Sequence, residues 1–241
     1  MHSIKRSVEK KMSHVNLKIK GCVFFFVFSK KMSSAKTIVY MGPMFSGKTK
    51  RILADVEKAI IGGLIVKLIK HASDKRYGRG NMISSHDGSS MNCTIVENLE
   101  TIPDGFGKDE SIDMIVIDEG QFITGVAAFC KQQNEWGREV RVAGLNSYAN
   151  KDRTPWPEMI PFMGFARIVS TEAICVSCHK DAYCSRKLEQ QTISSEGVTE
   201  VGSDDKYVAT CEACYTLPLN VEKLHRRRNA IETIRKLKIS I

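Results

Sequence analysis

An α/β fold, a parallel β-sheet flanked by helices, is predicted by three features of the 241-residue sequence. A short apolar run leads into a glycine-bearing loop and then into a segment of helical periodicity. A second apolar run ends in two adjacent acids. Strand, loop and helix then alternate, as in sheets whose parallel strands are joined by helical crossovers. Two C-x-x-C pairs further along predict a small additional subdomain.

Taken in order, residues 1–36 carry nine Lys or Arg and one Glu, and residues 221–241 carry seven basic and two acidic residues. With a net charge of +9 for the whole chain, the intervening body is left mildly acidic. That argues against a nucleic-acid groove built into the body and makes nucleic acid an unlikely partner. Residues 1–36 are therefore read as a disordered basic extension and residues 218–241 as a basic, solvated tail. Gly21 to Phe28 is apolar, but eight residues are too few to span a bilayer. Ser29-Lys30-Lys31 makes a poor secretory cleavage site, arginine is too scarce for a good transit peptide, and Met32 is an expected second start.

Residues 37–41 read as a buried strand and residues 50–61 as a helix, with Ile52, Val56, Ala59 and Ile60 on one face. Between them stands Gly42-Pro43-Met44-Phe45-Ser46-Gly47-Lys48-Thr49, which fits G-x-x-x-x-G-K-[ST]. Such a loop turns backbone N–H groups toward phosphate oxygens at a helix N-terminus. Lys48 then reaches the outer phosphates and the Thr49 hydroxyl ligates Mg²⁺, so ATP and Mg²⁺ are the implied ligands. The fold class narrows to a P-loop NTPase-type sheet over residues 37–170.

Gly62-Gly63 ends the helix and residues 64–69 form the second strand. A polar stretch from His71 to Asn92 holds Ser73-Asp74-Lys75-Arg76-Tyr77 and Ser85-His86-Asp87, and reads as a functional loop. Residues 113–117 then form a strand that delivers Asp118 and Glu119 to the carboxyl edge of the sheet, where ligands bind. Asp118 is assigned to Mg²⁺ and Glu119 to accepting the proton of an attacking hydroxyl. Residues 124–137 read as a helix with Val126, Phe129 and Cys130 on one side, and 139–145 as a strand. Residues 146–161, with Pro155, Trp156, Pro157 and Pro161, read as an active-site loop.

Eight cysteines are present. Cys175, Cys178, Cys211 and Cys214 have the form of a closed structural Zn²⁺ site, in a subdomain over residues 171–217. His179 lies outside that pattern. Scattered thiols beside a nucleotide loop point to a reducing compartment.

These landmarks together, from about residue 37 to 215, strongly resemble the type II thymidine kinase family, the cytosolic, zinc-containing enzymes. The resemblance is carried by Gly42 to Thr49, Asp74-Lys75-Arg76-Tyr77, His86-Asp87, Ile117-Asp118-Glu119-Gly120-Gln121-Phe122, both C-x-x-C pairs and Asp205-Lys206-Tyr207. It implies ATP-dependent phosphorylation of the 5′-hydroxyl of thymidine, and of deoxyuridine, in the cytoplasm. It implies Glu119 as the base and places Asp74, Lys75, Arg76, Asp118, Gly120 and Gln121 around the nucleotide. It further implies a lasso loop in the zinc subdomain that closes on the base. Val198, Thr199, Glu200, Val201, Gly202 and Tyr207 match that loop, while Met44, Phe122, Leu145 and Tyr148 contact the nucleoside. A homotetramer is expected by analogy.

The chain departs from the family after the fifth strand, where Leu145-Asn146-Ser147-Tyr148-Ala149-Asn150 replaces a segment close to Leu-Asp-Gly-Thr-Phe. Asn146 removes a charge, and the usual aromatic position falls at Ala149, beside Tyr148. A P-loop kinase or ATPase with another small acceptor is the first alternative. A zinc-containing nucleic-acid binder switched by ATP is the second.

Overall fold

Alternating apolar residues build the sheet. In β6 (Met114–Asp118), Ile115 and Ile117 face one layer while Met114 and Val116 face the other, and all are buried. The other sheet strands are β1 (Thr37–Gly42), β2 (Val66–His71), β5 (Thr94–Val96), β7 (Glu139–Leu145) and β8 (Arg167–Ser170). They pair in the order β5-β2-β6-β7-β1-β8, every pairing parallel. The computed structural model that shows this describes residues 36–74, 81–85, 90–99, 111–150, 152–188 and 206–239. The α/β prediction is borne out.

Helices cover both faces. On one face, α1 (Lys48–Ile61) buries Ile52, Leu53, Val56 and Ala59 against Leu68, Met114, Val116 and Ala143. Ile60, expected on that face, is instead 56% exposed, and Leu53 takes the inward place. Gly63, at φ 80°, closes α1. Leu64 N donates to Ala59 O and Gly63 N to Ile60 O, a pairing that needs a left-handed residue after the helix. This turn delays β2 by two residues relative to the expected 64–69. On the other face, α2 (Val126–Glu135) packs Val126, Ala127 and Cys130 against Val39, Ile115, Ile117, Val140 and Val142, with Phe129 half-buried. Trp156, Met159 and Phe162 from the connection to β8 complete that layer.

Within the stretch expected to be a loop, β3 (Met82–Ser84) and β4 (Ser90–Asn92) form a small antiparallel pair. The cysteine-bearing unit consists of two more such pairs, β9 (Ala173–Ile174) with β10 (Asp181–Ala182), and β11 (Cys184–Lys187) with β12 (Tyr207–Thr210). The last element is a 19-residue helix, α3 (Val221–Ile239), where the sequence suggested a solvated tail. Among the described residues, no helix is long and apolar enough to cross a membrane.

Candidate active site

The turn after β1 is held from three sides. Ser46 Oγ donates to Pro43 O at 2.8 Å and meets Thr171 Oγ1 at 2.8 Å. Thr171 N donates to Met41 O at 2.8 Å, while Met44 N donates to Ser185 Oγ, on β11, at 2.9 Å. Gly42 is required by this closeness, because a Cβ there would lie 2.2 Å from Thr171 O. Phe45 is held at φ 65°, a costly conformation for a residue with a side chain, fixed here by its surroundings. Lys48 is 8% exposed and keeps its ammonium on its own loop, donating to Pro43 O at 2.6 Å.

Thr49, at the start of α1, and Asp118, at the end of β6, come together across the sheet. The Thr49 hydroxyl lies 3.2 and 3.3 Å from the two Asp118 oxygens. Glu119 follows at φ 53°, and its N–H donates to Asp118 Oδ1 at 3.1 Å. The left-handed turn gives the two consecutive carboxylates different partners, Thr49 for Asp118 and Gln121 for Glu119. Gln121 is 1% exposed; its Nε2 donates to Glu119 Oε2 at 2.6 Å, and its Oε1 accepts from Leu145 N at 3.0 Å. Gly120 packs against Val142. Lys48, Thr49 and Glu119 share one cavity of about 640 Å³ with Met44 and Phe45.

Beside the turn that carries Glu119 is an aromatic cluster. Tyr148 stacks on Trp156 with centroids 3.8 Å apart, and Phe122 meets Trp156 edge-on at 5.3 Å. The altered segment after β7 is tied to the cysteine unit. Asn146 Nδ2 donates to Tyr183 O at 2.9 Å, which the carboxylate of an Asp could not do. Arg153 pairs with Glu212 at 3.0 Å and stacks over Tyr215, whose hydroxyl donates to Asn150 O at 2.7 Å. The change from the family pattern thus supplies a donor that joins loop and subdomain.

Asp74 is buried after β2, its carbonyl accepting from Lys70 Nζ at 3.1 Å. Nearby, burial pushes the Cys93 thiol up to about 11; Lys70 opposes this, and Asp118 and Asp74 add to it. That thiol stays protonated and is a poor nucleophile. Tyr207 is buried on β12. Lys75, Arg76, Tyr77, His86, Asp87, Asp205 and the expected lasso residues Val198, Thr199, Glu200, Val201 and Gly202 lie outside the described residues.

The sulfur atoms of Cys175, Cys178, Cys211 and Cys214 all lie within 4.8 Å of one another, with Cys178 Sγ and Cys211 Sγ 3.6 Å apart. Four thiols around one point can hold a metal ion. Burial works to raise the Cys175 pKa. The backbone groups of Cys178, Cys211 and Ser177 and the Cys178 thiol outweigh it, bringing the thiol down to about 6.

Sequence reasoning missed Thr171 and Ser185 as contributors to the site, and placed Trp156 in the active-site loop without giving it a contact. No motif marks the two hydroxyls, since their value depends on tertiary approach. Trp156 carried a signal, an aromatic in a proline-rich loop.

Comparison with known proteins agrees with this geometry. The family model described as thymidine kinase matches residues 35–215. The thymidine kinase of fowlpox virus is 31% identical over 187 residues, 76% of this chain and 98% of that protein. That of myxoma virus (strain Lausanne) is 30% identical over 176 residues, 73% and 93% of the two chains. Thymidine kinase 1 of Dictyostelium discoideum is 28% identical over 194 residues, 78% and 80% of the two. With its phosphate loop, acid pair and cysteine cluster in the matched span, the chain belongs to the thymidine kinase family.

Proposed function

We propose that this protein transfers the γ-phosphoryl group of ATP to the 5′-hydroxyl of thymidine, giving dTMP in nucleotide salvage, and to that of deoxyuridine, giving dUMP. Family membership carries the acceptor. The observation that carries the chemistry is one cavity lined by Lys48, Thr49 and Glu119.

Phosphoryl transfer needs a positioned nucleophile and stabilisation of charge on the transferring group. Glu119 takes the proton of the 5′-hydroxyl, its carboxylate oriented by Gln121 at 2.6 Å. Lys48 exchanges its bond to Pro43 O for the outer phosphates, while the loop tied by Thr171 and Ser185 presents its N–H groups. Met44, Phe122, Leu145 and Tyr148 hold the nucleoside, with Tyr207 and the lasso residues beside the base. Asp74 with Lys75, Arg76, Gly120 and Gln121 borders the nucleotide.

The adjacent hydroxyl and carboxylate of Thr49 and Asp118 fit a hard cation such as Mg²⁺. When bound, Mg²⁺ neutralises charge on the outer phosphates. The Cys178–Cys211 separation suits tetrahedral thiolates about a Zn²⁺ ion at bond lengths near 2.3 Å. Zinc there is structural, closing the unit that supplies Ser185 to the phosphate loop. The cytoplasmic setting and the homotetramer are proposed by analogy with the family.

Glu119→Gln tests the mechanism. It should leave ATP binding nearly intact and lower turnover by roughly 10²–10⁴, the span of a positioned base. Normal turnover in that variant would remove Glu119 from the reaction.

A further inference from the structure

The C-terminal helix does not stand apart from the phosphate loop. Lys223, Arg226 and Arg227 of α3 line the same 640 Å³ cavity as Lys48 and Glu119. The Arg227 guanidinium sits 4.2 Å from the centroid of Phe45, the strained residue of the loop. Lys223 Nζ donates to Ser177 O, in the turn between Cys175 and Cys178. Lys223, Leu224, Arg227 and Ile231 are the half-buried residues of the first half of the helix, with spacings of three and four that put them on one face. The face turned to the body therefore mixes aliphatic contact with two long cations.

This arrangement is unlike a solvated basic helix, whose charges point outward. The acids of α3 pair with cations of the same helix at exposed positions, Glu222 with Arg226 at 4.0 Å and Glu232 with Lys236 at 2.8 Å. Neither acid lines the cavity. Among the described residues, the cavity wall carries Lys48, Lys50, Lys223, Arg226 and Arg227 against the carboxylate of Glu119. A concave site of one sign, walled partly by low-dielectric side chains, concentrates the opposite charge. Its neighbour is a loop shaped for phosphate.

We propose that α3 is a basic lid on the donor site, with Arg227 and Arg226 contacting the polyphosphate of ATP. The proposal rests on the kinase reading for the identity of the donor. Arg227 is suited to the task because its guanidinium offers several donors in one plane, while its packing on Phe45 fixes where they point. Phe45 then has a role beyond shaping the loop, as the surface on which the lid's arginine rests.

The test uses the full chain and its Arg227→Ala, Arg226→Ala and Arg227→Lys variants. Calorimetry measures binding of Mg²⁺ with a non-hydrolysable ATP analogue, of inorganic tripolyphosphate and of thymidine. Hydrogen exchange across 221–239 is followed with and without the analogue. Loss of one charged hydrogen bond should weaken the analogue and tripolyphosphate by roughly tenfold or more. Thymidine affinity should stay within about twofold, Arg227→Lys should recover part of the loss as a point charge, and the analogue should protect α3 from exchange. Should Arg227→Ala fail to fold, Arg226→Ala, at the exposed edge of the cavity, carries the same expectation.

Unchanged or tighter polyphosphate binding in the alanine variants overturns the lid, the tighter case marking α3 as a plug. Equal weakening of thymidine and polyphosphate also overturns it, by reducing α3 to general support. Arginine-dependent tripolyphosphate binding without thymidine phosphorylation would keep the lid and remove the acceptor assignment.

Discussion

Replacing Gln121 with Leu isolates the bond that orients Glu119, the proposed base. Gln121 is buried, and its two hydrogen bonds join Glu119 Oε2 at 2.6 Å to Leu145 N at 3.0 Å. Leucine keeps similar bulk and removes both bonds. A hydrogen bond to a charged group contributes about 1.5–3 kcal/mol. If that stabilisation is expressed in the transition state, kcat falls about 10- to 100-fold. The Leu145 N–H, half-buried at the end of β7, loses its acceptor and costs about 1 kcal/mol of stability. For a domain of this size that lowers Tm by about 2–4 °C. Steady-state formation of dTMP gives kcat and the two KM values, and calorimetry gives Tm. The KM for ATP should change by less than about twofold, because the bond acts on the base and not on the phosphate loop. A lowered Tm with kcat unchanged would leave Gln121 with a structural role only.

Gly42→Ala brings a Cβ to 2.2 Å from Thr171 O, a backbone atom pinned by the bond from Thr171 N to Met41 O. The overlap should cost about 1–3 kcal/mol in stability and weaken the ATP analogue, read by thermal scanning and calorimetry. Cys175→Ser should lose bound zinc, measured by metal analysis, and lower Tm, since a structural metal site contributes to folding. Ile52→Ala empties a fully buried place between α1 and the sheet and should cost about 2–5 kcal/mol in urea unfolding, with kcat little changed.

How far the sequence reached depended on the range of the interaction that decides each feature. The phosphate loop, α1, β6 with its two acids, β7 and the cysteine pairs are marked by local spacing, and the structure forms them within a residue or two. β5 and the β3–β4 pair escaped because three-residue strands carry no measurable periodicity. They form by pairing, β5 against Ile69 to His71 of β2. Thr171 and Ser185 were illegible for the same reason: an isolated hydroxyl says nothing until another segment brings a backbone group to it. The charges of α3 were plain, but a count of charges does not show which face they occupy. The spacing of Lys223, Arg227, Ile231 and Ile234 was the available signal, and its meaning depended on where the helix lay. Asn146 was legible as a departure, yet only the structure gives its amide a partner, Tyr183 O.

The most direct test of the central claim is a product assay with the full-length protein, ATP and Mg²⁺. It compares thymidine, deoxyuridine, deoxycytidine and no acceptor. dTMP should form in proportion to ADP, with deoxyuridine accepted, deoxycytidine refused and the product lost in Glu119→Gln. ATP consumption with no nucleoside phosphorylated would contradict the claim, and would mean that the segment from Asn146 to Trp156 has changed the acceptor.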